Sequence, residues 1–128
     1  MIEPMRIPSK IATVLESVPE FAHRFLDLVE AADGDPGPAA VFTELAEFVA
    51  SLLSEQTPSP NVLARCMAGV EKVARESEEA QTLIGWSFLG SLCPEDRRRL
   101  APWFGPHTIA SARDLEETET SDEPEEPD

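Results

Sequence analysis

Asp33-x-Asp35, with Glu44 as the twelfth residue counted from Asp33, has the outline of a calcium loop between two helices. The detail does not fit. Gly37 stands where a further oxygen ligand is needed, and Pro38 where the sharp turn needs glycine. A proline ring fixes φ near about −65° and cannot make that turn. An ordinary interhelical turn is expected there. Gly85-Trp86-Ser87-Phe88-Leu89-Gly90 misses the G-x-S-x-G spacing of a nucleophile elbow by one residue. That elbow also follows a strand, whereas the approach here reads as helix. Its small residues are read as close helix packing. Cys93 with His107 is a third pairing to weigh, because a reactive thiolate wants an electropositive and partly open setting and Arg97 to Arg99 follow closely. Cys93 directly before Pro94 is more simply a residue at a helix start, packed against the core. The fourth group is Arg97, Arg98 and Arg99 followed by Trp103 and Phe104. Arginine and tryptophan are enriched where partners dock, so these five residues form the candidate partner surface. The competing readings are an anion clamp, a solvated arginine face over a Leu100–Trp103–Phe104 core closure, and arginines paired with the acidic C-terminus.

H-E-x-x-H, G-x-x-x-x-G-K-[ST], G-x-G-x-x-G and clustered His/Cys ligand sets do not occur. The carboxylates Glu76, Glu78 and Glu79, and Glu116 with Glu117, read as exposed rather than held in a cleft. No catalytic, cofactor-binding or metal-binding residue is assigned, no cofactor is expected, and the chain is not expected to be an enzyme.

What positions these residues is a chain of 128 with formal net charge −15. Nine of its 25 acids lie in Asp114 to Asp128, where there is no base. Residues 1–113 carry all 10 bases and a net charge of only −6. Such a balance disfavours nucleic acid, whose phosphates select Lys and Arg, and an anionic membrane surface. Cys66 and Cys93 sit in apolar surroundings and read as free buried thiols rather than a disulfide framework. The opening residues lack a basic stretch followed by an apolar one, so no secretory signal is expected. The longest uncharged run, Ala80 to Pro94, is too short and too polar to span a bilayer. A cytoplasmic location is expected.

The apolar spacing predicts an all-α chain: a compact bundle of about five to seven helices with a period of about 3.6 residues. An opening helix covers 9–17. A second starts near Pro19, with Ser17 and Glu20 at capping-box spacing, and carries the stripe Phe21, Phe25, Leu28, Val29 and Ala32. A third, about 39–54, carries Val41, Phe42, Leu45, Phe48, Val49, Leu52 and Leu53. Ser59 and Pro60 open a fourth with Leu63, Cys66, Met67, Val70, Val73 and Ala74 inward. Ser77 caps a fifth, about 78–92. It is apolar on all sides and therefore taken as the central helix. A short helix at 94–101, a tight turn through Gly105-Pro106 and a last helix at 107–117 complete a single domain, 1–117. The remainder, 118–128, is expected to be a disordered acidic tail.

Several segments together resemble a family of small bacterial all-helical proteins classed as a domain of unknown function. They are Val18 to Phe21, Val41 to Val49, Ile84 to Leu92, and Phe104-Gly105-Pro106 leading into the last helix. The resemblance covers about residues 14–117 and implies a compact helical bundle with no assigned chemistry. Some such proteins look like immunity or accessory proteins of bacterial toxin systems. The Pro-rich loop at 33–38 and the acidic tail depart from that pattern.

Together these readings lead to one expectation: a non-enzymatic protein-binding module, immunity-like, that occludes a basic partner. The alternative is a structural or regulatory helical protein acting as a homo-oligomer or adaptor.

Overall fold

The computed structural model describes residues 9–34, 36–55 and 59–122. Among them the chain is all-α, without a strand. The helices are α1 (Ser9–Ser17), α2 (Ala22–Ala32), α3 (Pro38–Leu53), α4 (Pro60–Ala74), α5 (Glu78–Leu83), α6 (Pro94–Leu100) and α7 (Pro106–Asp122). None is long and apolar enough to cross a membrane.

The helix starts follow local chemistry. Ser59 Oγ accepts from the Val62 N–H at 3.5 Å, and Ser77 Oγ from the Ala80 N–H at 3.0 Å. Pro38, Pro60 and Pro94 occupy first-turn positions, where a missing N–H leaves no bond unmade. Asp33 ends α2 in the left-handed region at φ 58°, and the Gly34 N–H donates back to Val29 O at 3.2 Å. The run at 33–37 is therefore an interhelical turn. Glu44 lies inside α3 with Arg24 Nη1 at 2.7 Å from its carboxylate, while Asp35 lies outside the described residues.

The capping box at Ser17 and Glu20 does not form. Ser17 belongs to α1, where its side chain packs so closely on Gly69 that a Cβ there would stand 3.0 Å from it. A 3-10 turn over Pro19–Phe21 follows, and α2 starts only at Ala22, with no side-chain cap. Glu20 is drawn instead to Arg65 on α4, which forks onto its two oxygens at 2.8 and 2.7 Å.

Buried residues from α1, α2, α3, α4, α5, the central segment, α6 and α7 form one cluster. Its largest members include Phe21, Phe42, Phe88, Leu45, Met67 and Leu100. The α4 stripe is buried as its spacing predicts, and so are the main positions of α3. The α2 stripe is buried only at its start. Phe21 and Phe25 are inside, Leu28 and Val29 are half-buried, and Ala32 is exposed, because α2 is covered by α3 along one side.

The central helix at 78–92 is central but not one α-helix. After α5 the backbone widens into a π turn at Ile84–Phe88, then tightens into a 3-10 turn at Leu89–Ser91. Leu92 is extended ahead of Cys93 and Pro94. This segment packs against α3, α4 and α7. The approach to α7 is close here: a Cβ at Gly85 would stand 3.2 Å from Ser111 O. On the other side the Ser87 carbonyl accepts the Thr43 hydroxyl of α3 at 3.3 Å. The segment is not buried all round either, since Trp86 faces solvent.

At the other end, α7 continues to Asp122, past the expected stop at Glu117. No proline interrupts it before Pro124. Of the expected disordered tail, 118–122 stand in this helix, and 123–128 lie outside the described residues.

Candidate functional site

α6 ends on Leu100, which is fully buried, and a 3-10 turn over Ala101–Trp103 follows. Phe104 is extended and leads through Gly105 into α7. Trp103 and Phe104 are half-buried and pack against the core. Arg98 and Arg99 are exposed, and Arg97 is half-buried. The five candidate residues are thus divided between two roles. Arg97, Arg98 and Phe104 line a groove of about 260 Å³ together with Ala112 and Glu116 of α7. Arg99 and Trp103 are not part of it.

The link that holds α7 in place comes from α4. Glu71 reaches the first turn of α7, where backbone N–H groups have no intrahelical partner. Its carboxylate accepts the His107 N–H at 3.1 Å, the Thr108 N–H at 2.9 Å and the Thr108 hydroxyl at 3.0 Å. His107 Nδ1 lies 2.7 Å from the same carboxylate. The positive end of the helix dipole adds to the attraction. Burial pushes the Glu71 carboxyl up, but these hydrogen bonds outweigh it and hold the group below the ordinary glutamate value. Gly105 leaves room for this carboxylate, since an added Cβ would stand 2.5 Å from it and force it to shift. One turn on, the buried Ser111 Oγ lies 2.9 Å from Gln81 O and 3.1 Å from His107 O.

This geometry bears on the thiol readings. His107 commits its Nδ1 to Glu71 rather than to Cys93. Cys93 is the residue before α6, as its place ahead of Pro94 suggests, but it is exposed rather than packed into the core. Cys66 is buried, and burial pushes its thiol up to about 12, so it stays protonated and inert at neutral pH.

Elsewhere Arg24, Arg65 and Lys10 are engaged with acids, while Lys72, Arg75 and Arg113 are exposed. Arg24 pairs with Glu44 and stacks 5.6 Å over the Phe48 ring, which itself sits 5.7 Å from Phe21. Arg65 holds the Glu20 carboxyl down at about 2 through its hydrogen bonds. Lys10 Nζ lies 3.8 Å from Glu76. Among the described residues no group of three His, Cys, Asp or Glu side chains stands together as a metal site.

Sequence reasoning missed two residues. The apolar character of 78–92 on all sides implies a buried Trp86, yet it is 54% exposed. A helical wheel carried the signal, because Ile84 and Phe88 share the inward face and Trp86 lies opposite. Glu71 had no comparable signal, since its partners are 36 and 37 residues away along the chain. No family model, curated protein or solved structure matches this chain.

Proposed function

We propose that this chain is a non-enzymatic protein-binding module of immunity type, which occludes a basic partner. The observation that supports the reading is charge. The net charge is −15. Arg24, Arg65 and Lys10 are turned toward acids of the same chain, while Glu16, Glu30, Glu47, Glu55, Glu78 and Glu79 are exposed to solvent. Such a surface steers a basic partner and raises its on-rate more than its final affinity. Affinity capture with the full chain as bait tests it: one stoichiometric basic protein is the expected result. Its association rate should fall steeply with added salt. Recovery of no basic protein, or a rate that ignores salt, would remove the reading.

A second reading, a homo-oligomeric or adaptor module, is favoured by the groove between α6 and α7. Arg98 and Glu116 line the same groove, so two copies related by a two-fold axis would bring opposite charges together. Sedimentation across concentration decides it. Mass that rises with concentration, and falls back in Arg98→Glu, would favour self-association.

A further inference from the structure

We infer that the outward ridge of the central segment, with Trp86 at its crest, is where a basic partner docks, and that the indole receives a cationic side chain of that partner. The inference rests on the binding role proposed above and adds its location and chemistry. Trp86 is 54% exposed, while Ile84, Gly85, Phe88 and Leu89 around it are buried. Large apolar side chains left in water gain most from a partner that covers them.

The ring stands on a fixed base. Gly85 is pressed against Ser111 O of α7, and Ile84 and Phe88 are locked in the core. The Ser87 carbonyl accepts hydroxyls from Thr43 at 3.3 Å and Ser91 at 2.9 Å. A residue carried on such a support loses little freedom on binding, which is what an anchor needs.

The charges beside the ridge select the occupant. Glu78 and Glu79 are exposed on α5, which runs directly into the π turn. Glu47 is exposed on α3 one helical turn beyond Thr43, the residue bonded to Ser87. The bases at the α5 end are Arg75, exposed in the turn before Ser77, and Lys10, which shares a pocket with Glu79 and Leu83 but is turned toward Glu76. An exposed indole about two helical turns after the exposed Glu79, on a chain of net charge −15, suits an arginine or lysine, because the ring quadrupole attracts a cation and tryptophan does so best. Arginine is preferred, since its planar guanidinium also stacks. A second copy of this acidic chain would bring like charges together.

Hexa-arginine is a suitable probe. Calorimetric titration of the full chain, Trp86→Ala and Trp86→Phe should give roughly three- to tenfold weaker binding for the alanine variant, with most of the loss restored by phenylalanine. Trp103→Phe leaves Trp86 as the sole indole, and its emission should then change on adding the peptide. Thermal melts should be alike for the Trp86 variants. Equal affinity for all three chains, or emission indifferent to the peptide, overturns the ridge while leaving the binding role standing. No binding of hexa-arginine by the unaltered chain overturns both.

Discussion

The start of α7 and the crest of the central segment meet water in opposite ways. At the first, Glu71 gathers two backbone N–H groups, a hydroxyl and an imidazole nitrogen, and its side chain is only 15% exposed. At the second, an indole more than half exposed rides on a segment whose Ile84, Gly85, Phe88 and Leu89 are inside. The first region closes the fold, because unmatched polar groups there would weaken it. The second contributes little to folding, so its residue type is free to serve contact. The docking surface proposed above accordingly lies where burial stops short, not where hydrogen bonds are densest.

The comparison is broken most directly by two substitutions two residues apart. Phe88 is fully buried, so Phe88→Ala should lose about 3–5 kcal/mol in urea unfolding. If Trp86→Ala lost as much, the ridge would be structural and the contrast would fail. Next in size is Glu71→Gln, which sets an amide donor against the donors of His107 and Thr108. It should lose about 2 kcal/mol by the same assay.

That variant also sharpens the contrast through pH. Folding holds the Glu71 carboxyl below its ordinary value of 4.5, so the folded state binds fewer protons there than the unfolded chain. The stabilisation is complete above that value and is lost as pH falls through the folded one. Glu20 acts with the same sign, so the informative quantity is the difference between the parent and Glu71→Gln. That difference should shrink on acidification. A constant difference from neutral pH to about pH 3 would mean the carboxylate charge contributes nothing.

Gly105→Ala should be milder, about 1 kcal/mol, because the new methyl must displace a carboxylate held by several bonds. The smallest effect belongs to Trp86→Ala, within about 0.5 kcal/mol of the parent in stability. It is the one variant expected to affect binding more than folding.

Much of the fold was legible. The α4 stripe from Leu63 to Ala74 is buried where its spacing put it, and so is the α3 stripe except for the half-buried Phe48 and Leu52, because a helix packed along one face needs only its own period to declare that face. Ser59 and Ser77 cap as read, since a cap is decided within about four residues. Ser17 and Glu20 had the same local signature and failed, because Gly69 and Arg65 offered closer partners from α4. Of the competing readings of the candidate surface, the aromatic turn closing on the core matches the structure, with Arg98 and Arg99 exposed and Arg97 half-buried. The groove that joins Arg97, Arg98 and Phe104 to Glu116 was not anticipated, because it needs α7 laid beside α6.

By itself the sequence determined the helical class, the breaks at 33–37 and before Ser59, the inward faces of α3 and α4, and an acidic charge concentrated toward the C-terminus. Each of these depends on residues within a turn or two of one another, or on composition. Only the tertiary structure decided that Glu71 would cap a helix 36 residues away, that the segment after α5 would open into a π turn, and that Trp86 would be left outside. These features go with the close approach of α4 to α7 and of Gly85 to Ser111. Local periodicity cannot encode such distances, because they are set by side chains far apart in the chain competing for the same space.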